Sequence, residues 1–173
     1  MSGDENLIGI AQIASTFAGF AALAGIVGRR AHASSRHDVE RLRTVILVGV
    51  MVVATALLPT VVEGYGRDEA TVWRVSSGLA LIINWALGAA VAAFGKRSGL
   101  FEADRIYKWA GWVIEVPLEL ALLANVFGVL SAHAAGLYLT FLYLALIQAV
   151  IVFIQLVNSL FAGVDDGAPE EGR

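Results

Sequence analysis

Glu115 and Glu119 stand four residues apart inside a long apolar stretch, with Pro117 between them. That spacing puts both carboxylates on one face of a helix, one turn apart. A carboxylate at the centre of a bilayer costs at least about 2.5–3.5 kcal/mol to insert, so it must be protonated, paired or in a wet cavity, and its default reading is functional. Two acids stacked this way repel each other, and a proton or a cation relieves the repulsion. Pro117 lacks a backbone donor, frees the carbonyl of Val113 and bends the helix, which makes it a candidate gating kink beside the acids. Lys108, the nearest basic residue before Glu115, is seven positions away, about 10 Å along a helix axis. With no positive charge at depth, the chemistry favours protons or metal cations as counter-charge and disfavours an anion path built on fixed charge. The competing assignment is structural: a pair of acids satisfied by the amides of Asn84 or Gln148, or by a Trp indole.

Other hydrogen-bonding residues fall near the midpoints of their apolar stretches: Ser15 and Thr16, Asn84, and Gln148. An unmatched polar group facing lipid costs several kcal/mol, so these residues are expected to face protein or water. Gln148 and Gln155 are seven apart and share a face, with Thr140 and Asn158 on nearly the same stripe. Such a stripe lines a pore or serves as interhelical glue, worth about 0.6 kcal/mol per hydrogen bond. The expected pore or ion-binding set is therefore Glu119, Glu115, Asn84, Gln148 and Gln155. Ala11, Ser15, Gly19 and Ala22 form a small-residue stripe suited to close helix packing.

Several chemistries have no residues to perform them. Cysteine is absent, which removes disulfides, thiolate metal sites and c-type haem. No lysine lies deep within an apolar stretch, so a retinal Schiff base is excluded, and His133 is the only histidine near one, so a bis-histidine haem is not expected. No cofactor and no metal centre are anticipated; His32 and His37 with Asp38 and Glu40 offer at most a weak metal site. Without protease, lipase or phosphate-loop motifs, no enzyme is expected, and the one enzymatic alternative is headgroup chemistry at Glu63, Arg67 and Asp68. A net charge of −3 gives no nucleic-acid surface.

The elements that position these residues follow from hydropathy. The chain has 173 residues, 58% hydrophobic and 16% charged, where a soluble domain is about 45–50% apolar and about 25% charged. A span needs about 20 apolar residues. Five stretches qualify, giving helices over about 7–28, 38–62, 73–94, 104–130 and 135–161. The expected fold is an all-α polytopic bundle of five transmembrane helices. All Lys and Arg residues except Arg67 and Arg74 flank the ends of these stretches or lie in the tail. Arg29, Arg30, Lys96 and Arg97 close the first and third stretches. The positive-inside rule then puts the N-terminus outside and the C-terminus in the cytoplasm, as in a bacterial inner-membrane protein. The N-terminus is acidic and its arginines follow the apolar run, so the first stretch reads as a retained helix and not a signal peptide.

Ser35-Arg36-His37-Asp38 reads as a capping box that starts the second helix near Arg36. Gly64-Tyr65-Gly66 and Gly99 mark breaks. Residues 163–173 are acidic, small and Pro/Gly-rich, and are expected to form a disordered tail. The first and third helices, ending in GRR at 28–30 and GKR at 95–97, suggest a duplicated hairpin. Five helices are few to enclose a pathway, so a symmetric homo-oligomer is expected. These observations point to a small homo-oligomeric channel, permeable to cations or protons, with the bilayer and small ions as partners. The alternatives are a non-conducting accessory subunit of a larger membrane complex and a small proton-coupled transporter.

Overall fold

The computed structural model describes residues 4–30, 36–98, 105–129 and 131–165, with side chains at 5–26, 39, 41–93, 113–129 and 131–158. The regular elements among the described residues are all helical. They are α1 (Asp4–Arg30), α2 (Arg36–Glu63), α3 (Glu69–Ser98), α4 (Arg105–Val126) and α5 (Ala134–Asp165), with one 3-10 turn, Ser131–His133, leading into α5.

The helix ends have local causes. The second helix starts at Arg36, where the capping pattern predicts it; Ser35 itself and Gly99 lie outside the described residues. α2 ends in two tight turns, with the Gly66 amide donating to the Glu63 carbonyl at 2.8 Å. Gly66 takes a positive φ of 69°, which glycine adopts without steric cost. Asp68 then caps α3, its carboxylate accepting from the Thr71 amide at 3.1 Å and the Thr71 hydroxyl at 2.7 Å. α4 closes in a Schellman motif around Gly128. Its amide donates to the Asn125 carbonyl and the Val129 amide to the Ala124 carbonyl, each at 3.0 Å. Gly128 has φ 66° and packs under the guanidinium of Arg74. A cation over the last carbonyls of a helix favours the helix dipole. The tail residues 166–173 lie outside the described residues.

The count of spans differs from expectation. Among the described residues, four helical segments are long and apolar enough to cross a membrane: Glu5–Ile26, Arg41–Glu63, Glu69–Ala93 and Ser131–Asn158. α4 is not one of them, so the expected five-span bundle is corrected to four. That count is of the described residues; the side chains described in α4 begin at Val113, and Glu115, Glu119 and Pro117 fall among them. The outside-to-inside orientation was deduced from five alternating crossings and falls with the fifth. Arg29 and Arg30 end α1, and Lys96 and Arg97 lie in the last turn of α3.

α2 and α5 form the centre of the bundle. α1 packs against both on one side, and α3 and α4 pack on the other. The core runs through all five helices, with Ile10, Val52, Ala80, Leu122, Phe141 and Leu142 buried in it. Outside this core the helices present large apolar side chains. Phe20, Leu23, Val50, Ile82, Leu120 and Ile154 are each more than half exposed. A water-soluble monomer does not display apolar surface on this scale. Together with the four spans, it identifies an integral helical membrane protein.

Hydroxyl side chains at depth follow a different rule from amides. Ser15 donates to the Ala11 carbonyl at 2.8 Å, Thr16 to Gln12 at 2.9 Å and Thr140 to Gly136 at 2.8 Å. Each hydroxyl is satisfied by its own helix, one turn back, so Ser15, Thr16 and Thr140 can be exposed. The small-residue stripe of Ser15, Gly19 and Ala22 also faces outward, and α1 instead meets α2 through Ala14 and Ala18.

Candidate functional site

α3 and α4 run antiparallel and are joined along their length by side-chain hydrogen bonds. Asn125 donates to Ser77 at 3.2 Å and to the Ala134 carbonyl at 2.8 Å. Asn84 donates to Glu115 Oε1 at 3.0 Å, and the Trp85 indole donates to Glu119 Oε1 at 2.9 Å. Asn84 is buried, whereas the two glutamates are half-buried. The four-residue spacing of Glu115 and Glu119 is therefore read by adjacent residues of α3, one giving an amide and the next an indole N–H.

Both carboxylates open into a cavity of about 650 Å³ between α2, α3, α4 and α5. Asn84, Gln148 and Gln155 line the same cavity, so all five polar residues of the expected ion-binding set meet there. The seven-residue spacing of Gln148 and Gln155 brings both from α5 to one wall. The rest of that stripe does not follow, since Thr140 and Asn158 are exposed. Among the described residues the wall contains no Lys, Arg or His; the remainder is chiefly aliphatic, including Val48, Met51 and Ile114. The Gln155 Oε1 atom is buried without a hydrogen-bond partner. Trp85 and Val116 line the cavity while 54% and 44% exposed. Among the described residues, the exposed part of the wall, taken as its mouth, therefore belongs to α3 and α4.

Pro117 is exposed and forms no part of the cavity wall. α4 is continuous through it as a helix. The other helical proline, Pro59 in α2, is the better integrated. It deprives the Thr55 carbonyl of its usual donor, and the Tyr138 hydroxyl donates to that carbonyl at 2.6 Å from α5.

Sequence reasoning missed four polar participants. Thr55, Ser76, Ser77 and Asn125 are buried, and none was singled out, because they lie away from the segment midpoints. One signal was present. A helical proline four residues after a threonine predicts an orphaned carbonyl that needs an outside donor. Trp85 was foreseen only as one of several indoles able to satisfy an acid.

The residues of the headgroup-chemistry trio lie at the turn between α2 and α3. Asp68 is engaged in capping α3, and the hydrogen bonds from Thr71 hold its carboxyl below the ordinary value of 3.8. Glu63 and Arg67 are exposed. Among the described residues, no three His, Asp or Glu side chains gather in metal-binding range. Compared with known protein families, curated proteins and solved structures, the chain matches none.

Proposed function

We propose that the chain is a small homo-oligomeric channel that passes cations or protons across a bacterial cytoplasmic membrane, with Glu119 and Glu115 as its charged site. The observation that carries this reading is the meeting of two carboxylates and three amides in one cavity whose described wall has no basic residue. Such a wall attracts cations and repels anions. Asn84 and Trp85 hold one oxygen of each carboxylate in place, so the acids are oriented before any ion arrives. Gln148 on the same wall offers a side-chain carbonyl of the kind that replaces part of an ion's hydration shell. The reading involves no enzymatic step.

A second reading is a proton-coupled transporter. It is favoured by the size of the cavity, about 650 Å³ within a single chain, which exceeds what a bare ion needs.

The test is ion flux through purified protein in liposomes under potassium, sodium, proton and chloride gradients, with Glu119→Gln beside the parent. Cation or proton flux without chloride flux, altered in selectivity or pH dependence by the substitution, is the expected result. Saturation with a co-substrate would favour the transporter. Absence of flux from folded, oligomeric protein would overturn both readings. If Glu119→Gln dissolved the oligomer, the residue would be structural and not part of the path.

A further inference from the structure

We propose that the cavity binds a hydrophobic organic cation, an ammonium or phosphonium ion with apolar substituents, which enters from the lipid through the gap between α3 and α4. The proposal rests on the reading of Glu115 and Glu119 as the charged site and names the class of ligand that site takes.

Size comes first. A cavity of about 650 Å³ falls in the range of about 300–1,000 Å³ that accommodates drug-sized molecules. A proton or metal ion would leave most of it empty or filled with water. The aliphatic part of the wall gains from contact with apolar substituents.

Charge comes second. The wall holds two carboxylates and, among the described residues, no basic side chain. One oxygen of each is engaged, Glu115 by Asn84 and Glu119 by Trp85. Among the described residues no hydrogen bond reaches the second oxygen of either, so each retains acceptor capacity for a guest. The indole of Trp85, fixed at the mouth by its hydrogen bond to Glu119, offers a π-face, and cations are attracted to such faces.

The approach comes third. Trp85 and Gly88 belong to the membrane span Glu69–Ala93. The surface beside the mouth is apolar, with Ile82 62% and Leu120 60% exposed. A ligand already dissolved in lipid meets this opening directly. A Cβ added at Gly88 would touch nothing within 4 Å, so the entrance has room for a larger side chain that would obstruct it without disturbing packing.

The experiment measures binding of tetraphenylphosphonium to the full chain in lipid nanodiscs by equilibrium dialysis. Neutral triphenylphosphine oxide and anionic tetraphenylborate are run as matched probes, with empty nanodiscs subtracted. The expected result is a saturable phosphonium component at least about tenfold tighter than either control, as one charge-assisted contact provides. Glu115→Gln/Glu119→Gln removes that component. Trp85→Leu weakens it by about tenfold, and Gly88→Leu weakens it while the unfolding temperature stays unchanged. Because the three probes are compared on the parent protein, a variant that fails to fold does not remove the test. Equal binding of the cation and the neutral probe, or full retention by the double Gln variant, would overturn the proposal. Carboxylate-dependent ion flux without phosphonium binding would also overturn it and leave the channel reading standing. Saturable, carboxylate-dependent phosphonium binding without ion flux would support the site and overturn the channel.

Discussion

The hairpin α1–α2 and the hairpin α3–α4 carry similar sequence signals, yet they are held together by different physics. In the first the backbones approach closely. A Cβ at Gly49 would lie 3.1 Å from the Cβ of Ala18 and 3.4 Å from the Ala14 carbonyl. In the second, Asn84, Trp85 and Asn125 bridge to partners at 2.8–3.2 Å across or beyond the seam. Small residues bring helices together and leave no space; long polar side chains join helices while keeping room beside them. The cavity accordingly borders the second hairpin. The two prolines divide the same way, Pro59 buried with its freed carbonyl taken by Tyr138 and Pro117 exposed. Whatever their origin, one hairpin is built for packing and the other presents polar groups to a void.

The comparison is most easily broken by glycine. Gly49→Leu should destabilise the protein by about 1–3 kcal/mol, the cost of overpacking a close seam. Gly88→Leu, in the open part of the second hairpin, should leave stability unchanged or raised. Thermal unfolding in detergent measures both, and similar losses at the two sites would contradict the contrast.

Tyr138→Phe should cost about 1–3 kcal/mol, because it strands the buried Thr55 carbonyl that Pro59 already deprives of a donor. In a Pro59→Ala background, where the helix can supply its own donor, that cost should fall below about 1 kcal/mol. A double-mutant cycle reads the coupling directly. Gly128→Ala should cost about 1 kcal/mol or more, since its φ is positive and the new methyl meets the Arg74 guanidinium.

The smallest expected effect is at Asp68. Its folded value lies below the ordinary 3.8, so its capping contribution is fully present above the unfolded value and is lost as pH falls through the folded one. Protection of the amides at the start of α3, measured relative to intrinsic exchange at each pH, should therefore fall on acidification in the parent, and much less so in Asp68→Asn, which keeps an acceptor that does not titrate.

Much of the site was legible because carboxylates and amides cannot satisfy themselves within a helix. Glu115, Glu119, Asn84, Gln148 and Gln155 had to meet protein or water, and spacing alone grouped Glu115 with Glu119 and Gln148 with Gln155. Ser15, Thr16 and Thr140 bond to their own carbonyls, so their depth carried no information about direction. Helix boundaries at Arg36 and Glu63 were legible from capping and glycine signals. The number of crossings was not: α4 has the length expected of a span and also holds Glu115 and Glu119. The cavity was not legible either, since it depends on how far apart four helices settle, and no periodicity encodes that distance.

The most direct measurement takes cation flux and thermal unfolding on the same liposome preparations of the parent and of Glu115→Gln/Glu119→Gln. The account predicts a loss of cation flux of at least about tenfold, an apparent barrier change of about 1.4 kcal/mol. It also predicts little change in the unfolding temperature, because interhelical polar bonds average only about 0.6 kcal/mol in membranes. Unchanged flux, or a collapse of the fold in place of the flux, would contradict the claim that these carboxylates serve a passing or bound cation and would make them structural.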